Sequence, residues 1–266
     1  MELHHQIAGE GSPVVLIHAG IADSRMWDPQ WEAFTARHRT LRYDMREFGD
    51  SAPPEGQFAH GRDLIGLLEQ LGLGPAALVG VSLGGRVATE VAVARPDLVR
   101  GLVLVGPGLP STGWSDEVRA YGEEEERLLE AGDVEGAAEV TVRFWVDGVG
   151  RRPGDVDPAV RDAVRTMQLR AYEHLKDADP DAERPTVADV ASRVGEISVP
   201  TLLIVGDHDR ADIVRTVEWL AEEIPGARLE RMPGTAHVPN MERPHEFNRL
   251  VLDFLAGEPR RREGAR

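Results

Sequence analysis

Ser82 stands in the stretch Gly80-Val81-Ser82-Leu83-Gly84-Gly85, a hydroxyl flanked on both sides by residues without side chains. A serine hydroxyl is a weak nucleophile at neutral pH and needs a neighbouring base to take its proton. Glycines around it permit a strained turn from strand to helix, which pushes the hydroxyl above a sheet edge. The same turn sets backbone N–H groups at a helix N-terminus, where they stabilise negative charge. Leu78 and Val79 read as the end of a buried strand, and Val87, Ala88, Val91 and Ala92 as the packed face of a helix. That context makes Ser82 a candidate nucleophile, with a helix-capping serine in a tight turn as the bland reading.

A nucleophilic serine requires a histidine. Among nine in the chain, His237 lies in Pro233-Gly234-Thr235-Ala236-His237-Val238-Pro239, a punctuated loop between the last strand and the terminal helix beginning near Arg243. Loops at the carboxyl edge of an open α/β sheet are where ligand-contacting residues sit. The histidine in turn needs a carboxylate to hold its tautomer and stabilise the imidazolium. Gly206-Asp207-His208-Asp209 follows Ile204-Val205, again at a strand end, and both aspartates are open for the role. Either could equally be a turn residue or a cap for the helix near Asp212. His208 neighbours the acid in sequence, which does not aim it at Ser82. His4 and His5 receive no role, and nothing has metal-ligand spacing.

These side chains need elements to hold them. Apolar runs at 14–17, 40–43, 77–79, 102–105, 201–205 and 227–232 read as strands, that at 40–43 being weaker. Unbroken apolar strands suit a parallel sheet covered on both faces. Helical spacing fills 27–36, 64–71, 83–94, 213–224 and 247–255, so the alternation predicts a doubly wound, mostly parallel α/β sheet. Trp27 and Trp31, near the start of the first helix, read as core anchors.

The rhythm breaks once. After Gly108 roughly 90 residues pass before the next strand, far more than an ordinary connection. Helices are expected there at 123–129, 134–146 and 160–175, which gives a core of 1–108 and 198–257 with a helical insertion at 109–197. Residues 258–266 read as a polar tail. Within the insertion Trp114, Phe144, Trp145, Met167 and Tyr172 fit either a pocket lining or the insertion's own core, and the acidic run at 123–126 reads as a solvated face.

Composition narrows the partners. A net charge of −16 argues against nucleic acid and anionic membrane surfaces, which need a basic field. The absence of cysteine excludes disulfides, thiolate zinc sites and a cysteine nucleophile. The first residues lack a basic n-region and a long apolar stretch, and no apolar run approaches the ~20 residues of a membrane span. A cytoplasmic protein with a small-molecule substrate is expected, with homo-oligomerisation left open.

The order serine, aspartate, histidine along the chain distinguishes one serine-hydrolase fold from the others. At this point the sequence resembles the alpha/beta-hydrolase superfamily, across about residues 10–256. It is most similar to the small capped branch of carboxylesterases, 3-oxoadipate enol-lactonases and cofactor-free haloperoxidases, and the stretch from His237 to Pro244 looks much like that branch's terminal motif. The resemblance implies an inserted helical cap, Ser82 as nucleophile, Asp209 as acid and His237 as base. His18-Ala19-Gly20-Ile21 resembles the family's His-Gly loop, with Ala19 at a usual glycine. It implies that Gly20, or alternatively Ile21, lends one oxyanion N–H and Leu83 the other. Asp44-Met45-Arg46-Glu47-Phe48-Gly49-Asp50-Ser51 resembles a fold-shaping loop of the family, with Glu47 replacing a glycine and available to tune substrate charge.

The expected function is hydrolysis of a small-to-medium carboxylic ester or lactone through an acyl-enzyme on Ser82, without a cofactor. The same triad could cleave a carbon–carbon bond of a diketone or perform perhydrolysis. The scaffold could also serve as a non-catalytic binding protein. An epoxide hydrolase or dehalogenase of this fold would be expected to carry aspartate where Ser82 stands. Apolar residues of the insertion and the net negative charge favour neutral over anionic substrates.

Overall fold

The computed structural model describes residues 3–53, 56–109, 113–176, 179 and 181–257; the polar tail lies outside them. The strands in chain order are β1 (His5–Ala8), β2 (Pro13–Ile17), β3 (Arg39–Tyr43), β4 (Ala76–Val81), β5 (Val99–Val105), β6 (Thr201–Gly206) and β7 (Arg228–Met232). Among the described residues they form one sheet in the order β1-β3-β2-β4-β5-β6-β7. Every neighbouring pair is parallel except β1 with β3. Each residue of β4 and β6 is buried, which is why these strands read as continuous apolar runs. β1 escapes such a reading because it is a half-exposed edge of four residues, paired through its backbone with Thr40 to Tyr43.

The helices are α1 (Asp28–Thr35), α2 (His60–Leu71), α3 (Leu83–Ala94), α4 (Asp116–Glu130), α5 (Val134–Thr141), α6 (Pro158–Leu175), α7 (Ala211–Glu223), α8 (Pro239–Glu242) and α9 (Pro244–Leu255). α4 begins well before residue 123, because the Ser115 hydroxyl accepts from the Val118 N–H and Asp116 and Glu117 occupy the first turn. Residues 134–146 are not one α-helix: α5 passes at Val142 into a π-turn, Val142–Asp147. Among the described residues no helix is long and apolar enough to cross a membrane.

Trp27 is fully buried, its ring 6.2 Å from that of Phe247, and anchors the core. Trp31 does not: it is half-buried with the Arg42 guanidinium 4.5 Å from its ring centre. The acidic run at 123–126 is not wholly solvated either. Glu125 accepts from the hydroxyls of Thr141, at 2.9 Å, and of Tyr172, inside the inserted helices. Tyr172 packs there with Ala137 and Ala138 in a small separate core, which removes it from the candidate lining residues.

Candidate active site

The elements deliver four segments to the carboxyl edge of the sheet. β2 is followed by His18, β4 by Ser82, β6 by Asp207 and β7 by the loop carrying His237. Because β4 lies between β2 and β5, the Gly20 turn and Ser82 are neighbours, with the acid after β6, two strands from β4.

Ser82 has φ 54° and ψ −114°, a backbone conformation that side-chain-bearing residues rarely adopt. Close packing enforces it. A β-carbon on Gly80 would lie 2.2 Å from the Gly84 carbonyl oxygen, and one on Gly84 would lie 2.3 Å from that of Ile17. The Ser82 side chain makes no capping bond to α3, so the helix-cap reading fails and the hydroxyl is left for other use. Ser82 N–H donates to Val105 O at 2.9 Å, and Gly108 N–H donates to Ser82 O at 3.0 Å.

Asp209, not Asp207, faces His237. The His237 Nδ1 lies 2.9 and 3.1 Å from the two Asp209 oxygens, and both side chains are almost completely buried. A carboxylate only accepts, so Nδ1–H donates, and Nε2 is the ring nitrogen turned away from the acid. The Arg210 N–H also donates to Asp209, at 2.8 Å. Asp207 instead accepts the Gly234 N–H at 2.8 Å and braces the loop that carries His237. His208 turns to the inserted helices, donating from Nδ1 to Val149 O at 2.8 Å.

The stretch Gly106-Pro107-Gly108 joins the serine to this pair. A β-carbon on Gly106 would lie 3.2 Å from the Asp209 carboxylate and 3.3 Å from the His237 ring, and one on Gly108 would lie 3.6 Å from Ser82. The stretch therefore lies against the side chains of Asp209 and His237 at one end and the backbone of Ser82 at the other, a link that sequence spacing does not reveal.

Gly20 packs on Leu83, the residue after the serine, whose side chain would stand 3.5 Å from a β-carbon placed at Gly20. Ala22 N–H closes the turn onto Ala19 O at 3.1 Å, so the turn's own bond uses neither the Gly20 nor the Ile21 N–H. His18 fastens this turn. Met45 N–H donates to its Nε2 at 2.9 Å, which leaves the proton on Nδ1 for donation to Ala19 O at 2.8 Å. Burial lowers the His18 pKa and keeps the ring neutral, as that tautomer requires.

The loop from Asp44 to Ser51 is organised by Asp44, whose oxygens accept the Ser24 and Asp50 N–H groups at 2.8 Å each. His4, Asp44 and Asp50 bring potential ligand atoms within 4.8 Å of one another, a grouping their sequence spacing hides. Asp44 spends both oxygens on backbone donors there. Glu47 has φ 71° where the resembling loops carry glycine, and burial together with nearby Glu183 raises its pKa.

Phe144 is stacked on Tyr121 at 4.4 Å with the Arg210 guanidinium 3.7 Å from its ring centre, and Trp145 lies against His237. Met167 reaches back to the core, where the Asp23 N–H meets its sulfur at 3.5 Å. Trp114 is half-buried against the core. Residue type alone does not single out Arg151 or Arg210. Each is buried and bonded to the loops that hold Asp209 and His237.

Residues 14–250 match the model of the alpha/beta hydrolase family. A putative carbamate hydrolase RutD of Azorhizobium caulinodans is 27% identical, over 95% of this chain and 94% of its own. Among solved structures, a thermophilic esterase from Thermogutta terrifontis superimposes with a TM-score of 0.80 at 27% identity, over 96% of this chain and 93% of its own. The enol-lactonase of Burkholderia xenovorans does so with 0.77 at 26%, over 96% of each chain. The glycine-enforced serine turn, the buried acid–histidine pair and the mostly parallel sheet thus accompany a match that spans most of the sequence, and the chain belongs to the alpha/beta hydrolase family.

Proposed function

We propose that the protein hydrolyses a neutral, small-to-medium carboxylic ester or lactone through an acyl-enzyme on Ser82. The observation that carries this reading is the buried bond between His237 and Asp209, set beside a serine in a strained turn. Similar proteins are named putative carbamate hydrolase, esterase and enol-lactonase, names that denote cleavage at a carbonyl carbon bearing a heteroatom leaving group, which supports the same chemistry here.

Ser82 Oγ attacks the substrate carbonyl while His237 Nε2 takes its proton. Asp209, bonded to Nδ1–H, holds the tautomer and stabilises the imidazolium. The oxyanion of the tetrahedral intermediate accepts from the N–H groups of Gly20 and Leu83, each worth about 3 kcal/mol. Collapse breaks the bond to the alkoxide, which leaves with the proton from His237. Water, deprotonated by the same histidine, then attacks the acyl carbon and releases the acid and free Ser82. No cofactor enters this cycle.

The reading is tested by turnover of a matched panel of esters, lactones and β-diketones by the native chain and by Ser82→Ala. Turnover of esters or lactones that Ser82→Ala loses supports it. Exclusive turnover of diketones would replace the ester reading with carbon–carbon cleavage, and no turnover of any member would favour a binding role.

A further inference from the structure

The last four carbonyls of a helix have no partner within it. At the end of the π-turn these belong to Phe144, Trp145, Val146 and Asp147, and each is taken by a donor from elsewhere. Arg210 donates to Phe144 O from Nε at 3.0 Å and Nη2 at 2.7 Å. The backbone N–H of His237 donates to Trp145 O at 3.3 Å. Arg151 donates to Val146 O and Asp147 O, both at 2.7 Å. Its Nη1 reaches Gly234 O at 2.9 Å and Glu242 at 2.6 Å, while Glu242 accepts the Ala236 N–H at 2.7 Å. The partners on the core side are therefore the loop of Asp209 and the loop of His237. One short stretch of the insertion is bonded to both.

Trp145 adds a ring. Its indole centre is 4.5 Å from the His237 imidazole centre, with the planes 35° apart. Asp209 fixes the Nδ1 edge of that imidazole, but a ring held at one edge can still tip about the bond and swing Nε2 away from the nucleophile. A broad aromatic surface against its face limits that motion. The indole is 9% exposed, so it is set within the packed site and not on its rim.

We propose that Trp145 is a positioning residue that holds the plane of His237 so that Nε2 addresses Ser82. The insertion then supplies part of the catalytic geometry as well as the wall of the pocket. This rests on the reading of His237 as the base. A Trp145 that only lined the pocket would act on substrate fit, and its loss would appear in KM and in acyl preference.

The test uses 4-nitrophenyl acetate, whose small acetyl group makes little demand on acyl fit, with native enzyme, Trp145→Phe, Trp145→Leu and Trp145→Ala. Loss of the flat ring in the Leu and Ala variants should lower kcat by about 10- to 100-fold, the scale of a small misplacement of a reacting group. KM should stay within about threefold, and Phe should restore kcat to within about threefold of native. The proton between His237 Nδ1 and Asp209, sought far downfield by NMR, should persist in native and Phe enzymes and broaden or vanish in the Leu and Ala forms. Leu keeps apolar volume at the site, so it separates loss of the ring from loss of packing if the Ala variant fails to fold. Leu or Ala variants with native kcat, a loss confined to KM, or a Phe variant as impaired as Leu would each overturn the proposal. Full activity of His237→Ala would instead overturn the assignment of the base, so the two failures are told apart.

Discussion

Asp209 and His237, 28 residues apart in the chain, meet in the interior with His237 Nδ1 2.9 Å from one carboxylate oxygen and 3.1 Å from the other. Asp207, two residues earlier, is half-exposed and spends an oxygen on the Gly234 N–H. Asp209→Asn should therefore lower kcat by about 10⁴, as expected when the acid that fixes the tautomer is lost. Asp207→Asn should cost far less, since the neutral amide oxygen still accepts the same bond. Steady-state kinetics of the two variants give the ranking, and the reverse order would reassign the acid.

The serine turn depends on backbone packing that tolerates no side chain. Gly80→Ala and Gly84→Ala place a methyl 2.2–2.3 Å from carbonyl oxygens, whereas Gly108→Ala meets nothing closer than 3.6 Å. The first two should each destabilise the fold by about 2–4 kcal/mol through overpacking against backbone, and the third by much less. Urea unfolding midpoints at constant m-value measure this. Equal midpoints for all three would mean that the turn relaxes freely.

Stability should fall on mild acidification because of buried histidines. Burial lowers the pKa of His18 and brings that of His60 to about 3, and His60 Nδ1 has no hydrogen-bond partner among the described residues. Below pH ~6.5 the unfolded chain takes up protons that these folded rings refuse, so folding loses free energy as pH falls through that point. Buried carboxyls with raised pKa, Asp63 and Glu242, act in the opposite direction. Glu47, whose pKa is also raised, adds to that opposing effect above pH ~4, so the histidine contribution is isolated by comparing native chain with a His60 variant and not by the pH window alone. His60 alone should cost about 2 kcal/mol between pH 7 and 5. His60→Phe, which suits the neighbouring rings of Phe48 and Phe58, should remove that portion of the slope in urea titrations at the two pH values. An unchanged slope would show that His60 is not held neutral.

Substrate preference should follow charge and the insertion. With a net charge of −16, anionic esters should be disfavoured against neutral ones, more so at low salt. Alanine at Trp114 or Phe144 should shift relative kcat/KM among neutral esters by about 1–3 kcal/mol where the ring contacts the acyl or alcohol group. Tyr172, enclosed in its own small core, should leave those ratios unchanged. Kinetics on a matched neutral and anionic series at two ionic strengths decide it; a native preference for dicarboxylate-like substrates would contradict the charge argument.

What the sequence disclosed and what it hid divide along the range of the interactions. Central strands such as β4 and β6 are buried on both faces and declare themselves as apolar runs, and the glycines around Ser82 are local requirements of one turn. β1 carries too few residues to show a period and is defined by backbone pairing to β3. The choice of Asp209 over Asp207 came from resemblance, because adjacent aspartates look alike until the fold decides which one meets His237. The run at 123–126 reads as a solvated face and residue type does not mark Arg151 or Arg210, so only partners distant in the chain show Glu125, Arg151 and Arg210 to be connectors within the fold. The π-turn at Val142–Asp147 was hidden for the same reason. Its free carbonyls are answered by distant donors, which no local pattern encodes.

The most direct measurement is labelling with a fluorophosphonate probe followed by digestion and mass spectrometry. The central claim is that Ser82 is activated by His237. It predicts a single adduct on Ser82, absent in Ser82→Ala and formed far more slowly in His237→Ala. An undiminished adduct in Ser82→Ala, or equal labelling rates with and without His237, would contradict the account.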